Sequence, residues 1–355
     1  MQRILEKLVF GCTLLLLASC SGSDNVKKFS KSIPIKGKLI ENIEFFTAGK
    51  VGMIVEDSLL ILQKNESDII NVYNTKNFEL LSTFGVNGLG PEEFATPEML
   101  NYILSDSLGK YISVYDFNRR KYTKLNLNKL LKKEYINITQ KENIYETNDY
   151  LRYFFYKSDS LLLATPETYH RFILFNYDDK NYGSKYIDYT PELGFEISNQ
   201  LKPYVYRSFV VVNPERKIFA AAPYFLGELN FFDFEGNYLN SSIYESRSNL
   251  ESNLNKKIFD KTKGHIIKME SKGGYIYALD KNNNLNAMNG VNGEKRNDSK
   301  ILVFDWDGNP IKEYIIADHR IITSFTYDEN KNVFYMYSRE EEKNNIVIYD
   351  LNEFQ

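Results

Sequence analysis

The sequence predicts an all-β fold, a six-bladed β-propeller of four-stranded antiparallel blades, on three observations. Six apolar-alternating stretches end in an aromatic residue or leucine followed by Asn or Asp: Tyr73-Asn74, Leu125-Asn126, Phe175-Asn176, Phe232-Asp233, Phe304-Asp305 and Tyr349-Asp350. The intervals between them are 52, 50, 57, 72 and 45 residues, close to the roughly 40–50 residues of a propeller blade. Composition agrees, because the chain carries 27 Tyr and 24 Phe, residues that suit a pleated, half-buried surface, and no long stretch shows the 3.6-residue amphipathic period. Turn signals also recur at matching places in each unit.

The strands read as short apolar runs bounded by turns, such as Arg171-Phe172-Ile173-Leu174-Phe175, Asn230-Phe231-Phe232, Ile301-Leu302-Val303-Phe304 and Ile346-Val347-Ile348-Tyr349, as expected of strands buried between blades. Asp233-Phe234-Glu235-Gly236-Asn237 and Asp305-Trp306-Asp307-Gly308-Asn309 place an acid and then Gly where the third strand must reverse into the fourth. A second signal, at Asp57, Asp106, Asp159, Pro214, Lys272 and Asp328, joins the first strand to the second. Together these place blades near 45–90, 98–140, 150–190, 205–245, 263–317 and 319–355. The last blade runs out of chain at its third strand. Residues 33–40 are expected to supply the missing outer strand and close the ring, which also removes an exposed sheet edge. Short helices are expected near 126–133 and 250–257. The Asn-rich run 281–297 reads as a loop between the second and third strands of blade five, and 246–261 as a polar connector.

At the N-terminus Arg3 and Lys7 precede an apolar run over 8–18, which stops at Leu17-Ala18-Ser19-Cys20. The run is about half of the ~20 residues a bilayer-spanning helix needs. The pattern resembles a bacterial lipoprotein signal peptide. That resemblance implies cleavage after residue 19, lipidation of Cys20, a tether over 20–29 and a propeller domain over 30–355. Ser21 follows the lipidated cysteine, which by analogy with enterobacterial sorting implies the outer membrane. The membrane, through the lipid on Cys20, is thus the first expected partner of an exported, envelope-anchored protein.

Cysteine and charge narrow the function classes. Cys12 lies in the segment to be removed and Cys20 is the lipidation site, so no intrachain disulfide, thiolate zinc site or cysteine nucleophile remains. The 336 residues left are ample for one large β domain. With the signal segment gone the formal charge moves from −3 to about −4. Mild acidity without clustered cations gives no basis for nucleic-acid binding.

One loop stands out: Phe84-Gly85-Val86-Asn87-Gly88-Leu89-Gly90-Pro91-Glu92-Glu93-Phe94. Closely spaced glycines bend a chain tightly and present successive amides, but the spacing is not a dinucleotide fingerprint. The segment resembles the Gly-x-Gly-Pro-x-Glu-Phe connector of NHL-type and TolB-like six-bladed propellers, and Asp116-Phe117-Asn118-Arg119-Arg120 resembles a strand turn of the same repeats. The resemblance implies that Gly85, Gly88, Gly90, Pro91 and Phe94 form a structural corner between two blades.

Alignment on the first-to-second-strand turn brings Lys50, Met99, Arg152, Arg207, His265 and Ile321 into one register, with Arg320 one place earlier. These positions begin inner strands. Lys50, Arg152, Arg207, His265 and Arg320 would focus positive potential at the mouth of the central channel, as a ligand site for a carboxylate, phosphate or acidic sugar. The alternative is that each cation pairs with an acid of a neighbouring blade, such as Glu98 or Asp149. His170, His265 and His319 show no metal-ligand spacing, and no Gly-x-Ser-x-Gly elbow is present. The sequence therefore calls for no cofactor, no metal and no catalytic set. The expected function is a lipid-anchored binding or scaffold module for an anionic ligand, glycan, peptide or partner protein, with aromatics such as Tyr204, Tyr206 and Tyr224 either exposed for stacking or partner contact or packed as core between blades. The alternative is a hydrolase or lyase acting in the channel, which would need convergent carboxylates or histidine on the inner strands. An assembly role would instead show a large apolar patch.

Overall fold

Six antiparallel sheets stand around one axis in the computed structural model of this chain. The structure describes residues 26–354 except 48, 67, 91–92, 101, 135–138, 143–150, 159–160, 167–168, 177–183, 257, 259–260, 285–297 and 340–343. Blade 1 comprises Gly52–Glu56, Leu59–Gln63, Ile70–Asn74 and Leu80–Phe84. Blade 2 splits its inner strand into Pro97–Met99 and Leu104–Asp106, both paired to Gly109–Asp116, and continues with Lys121–Asn126 and Thr139–Glu142. Blade 3 is Leu151–Ser158, Leu161–Pro166, Phe172–Asn176 and Lys185–Ile187. Blade 4 is Ser208–Asn213, Ile218–Pro223, Glu228–Asp233 and Tyr238–Ile243. Blade 5 is Lys263–Lys272, Tyr275–Asn284, Lys300–Asp305 and Pro310–Ile316, and blade 6 is Ile322–Asp328, Val333–Ser338 and Ile346–Asp350.

Both faces of each blade are buried, which explains why the strands read as apolar runs. One apolar cluster fills each of the six blade-to-blade interfaces. In blade 3, Leu162 and Ala164 turn toward Tyr115 and Tyr122 of blade 2, whereas Leu163 between them joins Phe219 and Phe232 of blade 4. The same alternation places Ile54 against blade 2 and Met53 and Val55 against blade 6. Period-2 alternation thus distributes side chains between neighbouring blades.

The turns follow their local chemistry. Gly236 and Gly308 adopt positive φ, and the Asp233 and Asp305 carboxylates accept the amides of Asn237 (2.8 Å) and Asn309 (2.7 Å). The helix Leu127–Lys132 is capped by Asn126, which accepts the Lys129 amide at 3.1 Å, and ends at Lys133 in the left-handed region. A second helix, Ser248–Asn255, occupies the polar connector. Loop 281–297 falls largely outside the described residues. The sequence reading omitted a one-turn helix, Lys202–Val205, in the connector from blade 3 to blade 4.

The N-terminal segment closes the ring and divides its work. Lys38–Leu39 pairs antiparallel with the outer strand of blade 6, supplying its fourth strand. Ser32–Ile35, expected in that same role, instead adds a fifth strand to blade 5, parallel to Pro310–Ile316. Residues 33–40 therefore bridge two blades, because Gly37 turns the chain between them while its amide donates to Asp318 Oδ2 (3.1 Å).

Candidate functional site

The glycine-rich loop is a built corner. Gly85 has φ +81°, and a Cβ there would lie 2.9 Å from the Phe94 ring, so the residue must be glycine both for its conformation and for the approach of that ring. Phe94 is buried, edge-on to Phe84 and beneath the Lys121 ammonium. The amide of Gly88 donates to the Phe94 carbonyl (3.1 Å) and that of Gly90 to Glu93 Oε2 (2.6 Å). These amides are thus already engaged by the loop itself. Asp116 accepts the amides of Ala95 (2.6 Å) and Thr96 (3.2 Å), and Arg119 donates to the carbonyls of Gly90 (2.6 Å) and Glu93 (3.0 Å). The two motifs singled out in the sequence therefore hold each other. Pro91 lies outside the described residues.

The aligned cations fall at, or one to two residues ahead of, the starts of the first strands of their blades. Lys50 stands just ahead of blade 1's inner strand and pairs with Glu98 on that of blade 2. Arg152 is the second residue of the inner strand of blade 3; its side chain, like Asp149, lies outside the described residues. Arg207 precedes the inner strand of blade 4, its guanidinium 5.5 Å from the centre of the Tyr224 ring, with Nε lacking a hydrogen-bond partner. Arg320 precedes the inner strand of blade 6 and donates to Asp318 (3.1 Å). His265, on blade 5, is buried beside Tyr244, its Nδ1 3.9 Å from both Glu245 and Asp280. At that distance neither carboxylate orients the imidazole as a general base. Cys20 lies outside the described residues. The mouth is therefore mixed in charge, with Lys50 and Arg320 in contact with acids.

Sequence reasoning missed Lys268, in the middle of the inner strand of blade 5. Only 7% of it is exposed, and the charges of Lys50 on blade 1 and Glu98 on blade 2 act on it. Two positions on, buried Glu270 accepts from Thr326 Oγ1 (3.0 Å) and the Tyr327 amide (2.9 Å) of blade 6; burial pushes its carboxyl up. Lys268 itself is pushed down to about 8 from 10.5, chiefly by burial, with Lys50 adding to the lowering while Glu270 and Glu98 oppose it. The available signal was the Lys-x-Glu-x-Lys alternation over 268–272, a polar face on a strand whose other face is core.

A pH dependence follows. Between about 8 and 10.5 the unfolded chain holds the Lys268 proton that the folded protein has released, so stability rises with pH in that window. The contribution is on the order of 3 kcal/mol at most. Tyr73 and Tyr206, pushed up to about 12 by burial, work oppositely: their stabilising share is lost as pH climbs from about 10 toward 12. Urea midpoints are expected to rise from near pH 8 to near pH 10 and then fall, with most of the rise absent in Lys268→Met. An unchanged profile in that variant would contradict the assignment.

A second feature sits on the same connector as Arg207. Residues 188–207 and the helix Ser248–Asn255 cover blade 4 with a seventh apolar cluster that includes Leu193, Val205, Tyr206, Tyr224, Phe225 and Leu250. A cleft of about 720 Å³ opens in this cap, lined by residues between Tyr189 and Tyr206. Of the three tyrosines named for stacking, Tyr204 is exposed while Tyr206 and Tyr224 belong to the cap's core.

Residues 28–330 match the model of one family, described as "TolB-like 6-blade propeller-like", in agreement with the six blades. The chain belongs to this TolB-like propeller family. Two solved structures share the fold. A member of the DUF4221 family from Bacteroides vulgatus ATCC 8482 has 13% identity, with 88% of this chain and 94% of that one covered and a TM-score of 0.53. A protein from Bacteroides fragilis NCTC 9343, described as exported, has 11% identity, with 93% of this chain and 96% of that one covered and a TM-score of 0.52. At such identity the likeness is one of fold alone. No curated protein matches this TolB-like chain, so no activity carries over by sequence. Among the described residues no helix is long and apolar enough to cross a membrane.

Proposed function

We propose that this TolB-like propeller is an exported, lipid-anchored binding module that seats an anionic group of its ligand at the mouth of the central channel. The observation that carries this reading is the buried Lys268 on the inner strand of blade 5, on whose charge Lys50 of blade 1 acts, with Arg207 just ahead of the inner strand of blade 4. Burial makes the Lys268 charge costly, and an anion placed there would relieve that cost and favour the ligand-bound state. Acid–base chemistry has less support, since the inner-strand histidine stands beyond hydrogen-bonding distance of its carboxylates.

Export is supported by the lipobox-like Leu17-Ala18-Ser19-Cys20 and by the likeness in fold to a Bacteroides protein described as exported. The anchor would hold the ring by its rim. Lys27 donates its amide to Ile243 at the outer strand of blade 4, and Phe29 packs on Phe304. Seven positions separate Cys20 from Lys27, a reach of at most about 25 Å.

The test is a thermal-shift series on the protein from residue 21 onward against carboxylates, phosphates, acidic sugars and acidic peptides. A salt-sensitive rise in midpoint is expected with one class, and its loss in the Lys268→Met, Arg207→Ala double variant. A series without any response, or a response indifferent to both substitutions, would reject the reading. In cells, Cys20→Ser is expected to move the protein out of the membrane fraction.

A further inference from the structure

The cleft in the cap over blade 4 is lined by residues other than those of the channel mouth, and its chemistry differs. We infer that it is a second binding site, for a neutral saccharide. Its volume of about 720 Å³ falls within the roughly 300–1,000 Å³ of small-molecule sites. Tyr189 and Phe195 contribute aromatic surface backed by the buried Tyr206 ring, and Glu192, Glu196, Ser198 and Lys202 contribute polar groups.

A wholly apolar ligand would strip water from two carboxylates and an ammonium without replacing its hydrogen bonds. An anion would meet Glu192 and Glu196 against the single Lys202, and a cation, though drawn by the carboxylates, would leave the Lys202 ammonium without a partner. A hydroxyl both donates and accepts, so a polyhydroxylated ring satisfies the carboxylates and the ammonium together while bringing no charge. The apolar C–H face of such a ring has the aromatic side chains to lie on.

The floor is fixed in advance. Tyr206 Oη donates to the Pro191 carbonyl (2.6 Å), and its ring lies 5.3 Å from the buried Arg171 guanidinium and 5.2 Å from the Tyr189 ring. A platform held this way loses little freedom when a ligand arrives.

The reading stands on residues that the channel-mouth proposal does not use, so either can fail alone. The experiment is a binding screen of the protein against an array of neutral oligosaccharides built from hexose, N-acetylhexosamine, deoxyhexose and pentose units, with lysine- and arginine-rich peptides alongside. One family of saccharides is expected to bind, with an affinity that changes less than about twofold between low and high salt. Phe195→Ala is expected to weaken it by about tenfold. Glu196→Gln, an exposed position with no bearing on folding, is expected to weaken it several-fold, while Lys50→Ala leaves it unchanged. Three results would overturn the inference: no saccharide bound, a bound saccharide indifferent to both cleft substitutions, or selective capture of the basic peptides at this cleft.

Discussion

Replacing Arg171 by Met is expected to lower the unfolding midpoint of this propeller by roughly 5–10 °C. Arg171 is 1% exposed and precedes the third strand of blade 3, where a basic residue would ordinarily face solvent. Its guanidinium donates to the Thr190 carbonyl in the connector, to Ser208 Oγ (3.0 Å) on the inner strand of blade 4 and to Asn230 Oδ1 (2.7 Å) on the third strand of that blade. The rings of Phe172, Tyr206 and Phe232 surround it at 5.0–5.3 Å. Asn230 in turn donates to buried Glu228 (2.7 Å), whose other oxygen accepts from Arg247 Nε (2.7 Å).

Burial works against this charge and pushes it down to about 10 from 12.5, Glu228 partly offsetting the effect. A methionine would remove that desolvation cost and keep much of the stem's packing. It would also leave three acceptors without this donor, the two buried ones at about 1–3 kcal/mol each. The second effect is larger, giving a net loss of about 3–5 kcal/mol. Arg171→Lys should fall between, since it retains charge without the planar fork. Chemical denaturation of the three proteins decides the matter: equal midpoints for wild type and Met variant would show that the network contributes nothing net.

That network marks where the sequence stops being legible. Blade number, strand boundaries and turns were readable because both faces of every blade are buried. Leu162, Leu163 and Ala164 have to be apolar whichever neighbour they touch, and Gly236 and Gly308 have to permit positive φ. The Gly85–Phe94 corner was readable because backbone conformation dictates its residues. Polar side chains are different: Arg171 and Lys268 look like surface residues in any local window, and their burial follows from which blades meet across the interface or the channel. Register added a further loss. The inner strand of blade 5 contains irregularities between Gly264 and Ile266 and again between Ile266 and Lys268, so a count along the strand placed His265 at the mouth but passed over Lys268. The cap cleft was unreadable for a similar reason, since its walls come from a connector whose only regular element is a one-turn helix.

Removing residues 26–40 is expected to have the largest effect of any change considered, converting the mature protein into a species that unfolds non-cooperatively or self-associates. Ile35 and Ile40 are almost wholly buried, in the blade 5–6 and blade 6–1 clusters respectively, and each is worth about 1.5–3 kcal/mol in burial alone. The paired backbone of Ser32–Ile35 and Lys38–Leu39 is lost as well. Set against a total stability of about 5–15 kcal/mol, that loss leaves little margin. It also bares the outer strands of blades 5 and 6 as open edges, which pair readily with other chains. Gly37 makes a sharper probe of the same clasp. A Cβ there would lie 2.3 Å from Val347 Cγ1 and 2.7 Å from Tyr349 Cζ, both in the strand the clasp must reach, so Gly37→Val should lift the segment off blade 6 without shortening the chain. A synthetic peptide spanning residues 26–44, added to the truncated protein, should restore a single cooperative transition if edge pairing is what holds the ring. A truncated protein that stays monomeric with the wild-type midpoint would mean that the six interblade clusters close the ring unaided.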